Sequence, residues 1–166
     1  MSTVRFNTWQ DSGGTEVANS MLGTGKILQV VSTFVSASFG TTSTSFVDVT
    51  GHTATITPTA ATSKVLVLYG AMLFHLTNGA VKALNLVRDG TTICQPAAGT
   101  VPATMNPYTS GTISTQHVAL NFLDSPATTS PVVYKIQAQT SSGTLYVGGS
   151  TGTTTPANLT LLEVSA

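Results

Sequence analysis

The sequence predicts an all-β protein, an antiparallel β-sandwich entered through an extended N-terminal arm. Three observations carry that prediction. From Lys26 onward, short runs of Val, Ile, Leu, Thr and aromatic residues are separated by clusters of Gly, Pro, Asn, Asp or Ser, the punctuation of strands and turns. No segment keeps apolar residues at i, i+3, i+4 and i+7 long enough for a proper helix. The 166 residues include 31 Thr and 17 Ser but only 12 charged ones, so small hydroxyls, many of them on β-branched residues suited to strands, make up the polar surface.

Residues 1–24 stand apart. Phe6, Trp9, Val17, Met21 and Leu22 are scattered among Asn, Ser, Thr and Gly with no helical or strand period, which reads as an arm. Its Trp is the single one in the chain, and so large an apolar side chain is normally packed against something, the arm's own domain or a neighbour. The domain proper is then 25–166, a length at which one core is the natural solution.

Within it, strands are expected at about 26–35, 44–50, 53–58, 64–76, 81–88, 91–95, 112–122, 131–139, 143–148 and 157–164. Asp89-Gly90 lies between two of these runs and supplies the positive φ angles of a two-residue hairpin turn. Asn78-Gly79 predicts the same between Leu76 and Val81, and Gly51-His52 predicts a further reversal. In the run Val132 to Gln139, alternation sets Val132, Tyr134, Ile136 and Ala138 on a core face and the intervening residues on a wet one. Val65 to Phe74 does not alternate, the mark of a strand covered on both faces. A sandwich covers only one of them, so the second calls for another cover, a neighbouring subunit or the chain's own arm or a loop; Tyr69, Met72 and Phe74 are the candidates for a subunit interface.

Charge excludes several classes of function. Four Lys and two Arg against six acidic residues give zero formal net charge, too little clustered positive charge to neutralise a nucleic-acid backbone. At 41% hydrophobic residues the chain is too apolar for intrinsic disorder. Its longest apolar run, Val65 to Leu76, is short of the ~20 residues of a membrane-spanning helix, and no secretory signal pattern opens the chain. The single cysteine, Cys94, forms no internal disulfide, which fits synthesis in a reducing cytoplasm, and reads as a small buried hydrophobe.

Catalytic chemistry finds little footing. His52, His75 and His117 are not at metal-ligand spacing, although a threefold axis could gather copies of His75 or His117. Asp11, Glu16, Asp48, Asp89, Asp124 and Glu163 offer no evident acid/base pair, and no nucleophile elbow is present. Gly25-Lys26 echoes a phosphate-binding loop, but Ser20 stands where a Gly belongs and Ile27 where Ser or Thr is needed. The expectation is no enzyme, no catalytic residues, no metal and no cofactor.

The segments Gly25-Lys26-Ile27-Leu28-Gln29-Val30-Val31, Thr42-Ser43-Thr44-Ser45-Phe46-Val47-Asp48-Val49-Thr50-Gly51, Ile56-Thr57-Pro58, Ser63-Lys64-Val65-Leu66-Val67 and Leu86-Val87-Arg88-Asp89-Gly90-Thr91, with a closing Leu159-Thr160-Leu161-Leu162-Glu163-Val164, resemble the small β-sandwich virion proteins of tailed bacteriophages, cyanophages among them. The resemblance implies a jelly-roll-like (TNF-like) sandwich and a homotrimer. It carries over no binding residue, because the shared segments are turns, strand ends and core positions. Such modules occur on tail fibres and spikes and as separate capsid-surface proteins. One short arm and one module, without heptads or a repeat, suit a part that sits directly on another surface. The expected function is therefore a capsid cement (decoration) protein on the outer capsid surface, made in the host bacterial cytoplasm, with itself and the major capsid protein as partners and neither nucleic acid nor membrane. Arg5, Phe6 and Trp9 are the candidates for capsid contact, by the preference of buried hot spots for Trp and Arg. The alternative is a distal tail-fibre or tailspike module that recognises a host surface glycan or protein through the Thr- and Ser-rich loops 41–45, 109–115 and 150–155.

Overall fold

A computed structural model describes residues 25–77, 79–95, 103–105, 114–150 and 152–166. Twelve strands follow in order: β1 Ile27–Val35, β2 Phe39–Thr41, β3 Val47–Ile56, β4 Lys64–His75, β5 Lys82–Arg88, β6 Thr91–Ile93, β7 Ser114–Asp124, β8 Val132–Thr140, β9 Leu145–Val147, β10 Gly149–Ser150, β11 Thr153–Thr154 and β12 Ala157–Val164. Among the described residues there is no helix.

Ten of the strands build two antiparallel sheets, and β10 and β11 pair as a separate two-stranded ribbon. In the larger, β4 is central: β12 pairs with its first half and β9 with its last three residues on one side, while β7 runs along the whole of the other. β1 extends the sheet beyond β12, and β2 extends it beyond β9. The smaller sheet has the order β3-β8-β5-β6. Between them lies one core, filled from the large sheet by Val65, Val67, Ala71, Leu73, Leu159 and Leu161 and from the small one by Ile56, Leu84, Leu86, Val132, Tyr134 and Ile136. This is the all-β sandwich that the strand and turn pattern predicts.

Alternation explains the packing. Along β8 every second residue from Val132 to Thr140 is buried, with the others at least partly open to solvent, as the pleat requires. β4 also alternates, but its outward residues Leu66, Leu68, Met72 and Phe74 are apolar and half-buried, which is why its sequence reads as unbroken hydrophobicity. β5 is buried along nearly its full length. The segment 103–105 lies against it, with Leu84 and Met105 exchanging N–H···O=C bonds of 2.8 and 3.0 Å.

Two expected reversals are corrected. Gly51-His52 is not a turn: β3 runs through it, and a register shift against β8 between Asp48 and Thr53, with Gly51 at φ +82°, makes it a bulge. The turn expected at Asn78-Gly79 does not join a hairpin either. β4 and β5 belong to different sheets, so the connection crosses the sandwich; Asn78 itself lies outside the described residues. Asp89-Gly90 does close the β5–β6 hairpin, with φ +46° and +85°, and Asp89 Oδ1 accepts the Val133 N–H at 2.9 Å. Sequence reading missed the short strands β2, β10 and β11.

Candidate functional site

Most polar groups inside the sandwich are paired among themselves; among the described residues the buried exceptions are Ser38 Oγ, His52 Nε2 and Thr155 Oγ1. Glu163 on β12 accepts from Gln29 Nε2, the Thr59 N–H and Thr59 Oγ1, each at 2.7 Å. Burial pushes its carboxyl up, but these bonds and one from Ser63 outweigh it and hold the group at about 2. Asp124 takes both oxygens to Arg88 Nη1 at 2.8 Å and accepts Tyr134 OH at 2.7 Å. Burial, reinforced by this bond to the carboxylate, raises the Tyr134 phenol. Asp48 is held by Lys135 Nζ at 2.6 Å and Gln137 Nε2 at 2.8 Å; those bonds lower its carboxyl. Each described carboxylate thus ties strands together, and among the described residues no three His, Cys, Asp or Glu side chains gather as metal ligands.

The histidines divide. His52 is buried, with Nδ1 2.9 Å from Tyr69 OH. Nε2 of His75, also buried, lies 3.0 Å from Thr140 Oγ1 and 2.8 Å from Ser142 O. Fully enclosed within one chain, His75 cannot reach a symmetry axis, which corrects that expectation. His117 is exposed, on the outward side of β7 opposite Met72.

His117 belongs to the feature that distinguishes this molecule, the outward face of the β1-β12-β4-β7 sheet. Strand register orders it in rows. Val30, Leu162, Leu66 and Leu123 form one apolar row across all four strands; Ser32, Thr160, Leu68 and Asn121 form the next, then Phe34, Asn158, Gly70 and Ala119. Beyond them Met72 pairs with His117, and Phe74 stands between Tyr146 and Thr115, its ring centroid 6.1 Å from that of Tyr146. Phe34 is 70% exposed, Val30 58% and Leu123 48%. At Gly70 the missing side chain opens a groove of about 260 Å³ lined by Phe34, His117, Pro156, Ala157 and Asn158. A second groove of about 260 Å³ lies beside Met72, Phe74 and Thr115.

The sequence-predicted interface residues separate on this geometry. Met72 and Phe74 point outward from β4 and contribute to the face. Tyr69 does not: it is 3% exposed and points into the core toward His52. It sits at odd register to Met72 on a pleated strand, so the two cannot share a face, and Tyr69 is corrected from interface to core residue. The outward residues of β1, β12 and β7, which complete the face, were missed, because only the pairing register brings them beside β4. Arg5, Phe6 and Trp9 lie outside the described residues, as do 109–113 of the proposed recognition loops. Loop 41–45 is tied to itself, with Ser43 Oγ donating to Ser45 O at 2.6 Å and accepting the Ser45 N–H at 3.1 Å.

No protein family matches the chain, and no curated protein does. Among solved structures the chain is similar to the infectious bursal disease virus Gx strain structure, at 19% identity and a TM-score of 0.39 over 84% of this chain and 39% of that one. The infectious bursal disease virus VP2 subviral particle gives 19% identity and 0.39 over 84% and 38%. The chain therefore spans well under half the length of these neighbours, and at such TM-scores the likeness does not establish a common fold.

Proposed function

We propose that this chain is a structural protein of a tailed-bacteriophage virion, a capsid cement protein that works as a homotrimer and holds major capsid protein subunits together. The observation that carries the reading is the apolar outward face of the large sheet. Four strands at ~4.8 Å spacing and about nine residues at ~3.3 Å each give a face on the order of 500 Å², part apolar and part hydroxyl or amide, comparable to the largest patch of an ordinary monomer, which is often functional. Uncharged polar side chains, among them Ser32, Thr160, Asn121, Asn158 and His117, are interspersed in it, and the described carboxylates are committed to cross-strand ties. Such a molecule is built to be covered.

The sequence resemblance to phage virion sandwiches supplies the particle. Trimerisation supplies the mechanism: three modest contacts on one rigid body raise the effective concentration of the second and third to roughly millimolar levels, so avidity replaces a single strong site. Arg5, Phe6 and Trp9 are proposed to touch the capsid. The test is to add the purified full-length protein to capsids that lack it and to count copies bound. Occupancy that follows the capsid lattice, with added resistance to heat or pressure loss of DNA, is the expected result. Binding confined to tails, or to host cell envelopes, would replace the cement reading with that of a receptor-binding module.

A further inference from the structure

The two ends of the large sheet are unlike those of the small one. In the small sheet, β3 is bulged at Gly51, and the carbonyls of Thr53 and Thr57 accept bonds from Thr33 Oγ1 and Gln29 Nε2 of β1 at 2.8 and 2.7 Å. At its other end β6 has three residues. Short, bulged and capped edges are how sheets avoid pairing with other chains. In the large sheet the long outer strands are β1, nine residues, and β7, eleven residues, with the three-residue β2 outermost beside β9. Neither contains proline or a charge before Asp124, β7 pairs with β4 without a register shift, and β1 shifts only at its first residues. Among the described residues no strand pairs with the far side of either, and β1 reaches β3 only through the side chains of Gln29 and Thr33.

Direction makes these two edges complementary. β1, β12, β4 and β7 alternate in direction, so β1 and β7 run oppositely. Setting β1 of one copy beside β7 of the next, with the apolar faces on the same side, continues the antiparallel alternation. Such a head-to-tail contact closes into a ring when the rotation allows.

We propose that the chain assembles as a three-sided prism, with the apolar faces of three copies turned to a common axis and β1 of each copy running antiparallel along β7 of the next. The proposal rests on the trimer reading above and names its surface. The dimensions select three. Four strand spacings make a side of about 19 Å, which sets each sheet ~5.5 Å from a threefold axis, close to half the ~10 Å separation of packed sheets. A fourfold ring of the same sides would hold the sheets ~9.5 Å from the axis and leave a void lined by Leu66, Leu68 and Met72. A twofold, face-to-face pair would leave both long edges open. In the prism, the rows Val30-Leu162-Leu66-Leu123 and Ser32-Thr160-Leu68-Asn121 stack around the axis. Lys64, at the end of β4, lies at the mouth of the prism.

Two measurements test this on the full chain. Light scattering reads the mass of the native protein and of Leu68→Glu and Phe34→Glu; Phe34 is exposed in the single chain, so its replacement leaves folding intact. Three chain masses for the native protein and one for both variants, with unchanged β-sheet circular dichroism, is the expected result. A native trimer that both variants retain would overturn the prism while leaving trimerisation standing; a native monomer would overturn both. The second measurement places cysteines at Ser32 and Asn121 in a Cys94→Ala background. Within one chain these residues are three strand spacings, about 14 Å, apart, beyond the reach of a short bis-maleimide. Cross-linking is expected to give a ladder that stops at three chains and to need both substitutions. A ladder that stops at two chains, or none from a protein of trimer mass, would rule the arrangement out.

Discussion

His52 Nδ1 and Tyr69 OH meet at 2.9 Å across the sandwich, one on β3 of the small sheet and the other on β4 of the large. Burial lowers the imidazole to about 4 and raises the phenol, and His52 Nε2 has no hydrogen-bond partner. A second proton on this ring would therefore sit unsolvated in the core.

The consequence is acid sensitivity above the range of carboxylate titration. The folded state holds His52 at about 4, against 6.5 when unfolded, so between those values the unfolded chain binds the extra proton. Stability is full above 6.5 and falls as pH drops toward 4. Urea unfolding is expected to lose about 2 kcal/mol between pH 7 and 5, and His52→Gln, which does not titrate, is expected to flatten that slope.

Glu163 acts lower on the pH scale. Its folded value of about 2 lies below the ordinary 4.5, so its contribution is present above 4.5 and lost as pH falls toward 2. Glu163→Gln turns an amide N–H₂ toward donors from Gln29 and Thr59. A loss of about 1–3 kcal/mol at pH 7, shrinking as the comparison is repeated from pH 4.5 downward, is the expected outcome of denaturant titrations.

Asp124 links Arg88 on β5 with Tyr134 on β8. Tyr134→Phe removes one hydrogen bond and is expected to cost about 1 kcal/mol. Asp124→Ala leaves both the buried phenol and the guanidinium without their acceptor and is expected to cost about 3 kcal/mol. Equal losses in thermal unfolding would mean that the carboxylate contributes only through the tyrosine.

Tyr69 and Met72 are three residues apart on one strand and should behave oppositely. Tyr69→Ala opens a cavity between the sheets and is expected to lower stability by about 3–5 kcal/mol. Met72→Lys places a charge on the outward face; it is expected to dissociate the proposed trimer in light scattering while leaving the stability of the dilute chain within about 0.5 kcal/mol.

Much of the strand layout is legible in the residues because it is local. Period-2 alternation from Val132 onward, the Asp89-Gly90 turn and the β12 run Ala157–Val164 depend on pleat geometry and backbone sterics. The same local signals misplace Gly51-His52 and Asn78-Gly79. A glycine with positive φ serves a bulge as well as a turn, and a turn dipeptide does not say which sheet the next strand will join.

The candidate surface is legible only in part, for a physical reason. The apolar run Val65 to Phe74 by itself determined that one strand would need cover on both sides, and Met72 and Phe74 followed from it. Which of its residues face outward was decided by the pleat once β4 was set against the core, and that excludes Tyr69. The breadth of the face was decided by tertiary pairing alone: Val30 and Leu162, neighbours in one row, stand near opposite ends of the described chain, as do Phe34 and Asn158, Leu123 and Leu66 are likewise distant in sequence, and only interstrand register places them side by side. Composition set what the surface is made of, uncharged and rich in hydroxyls, because it fixes the side chains available. Where the apolar part of that surface gathers is a property of the sheet, since hydrogen-bonded register, unlike hydrophobicity, is shared between residues distant in the chain.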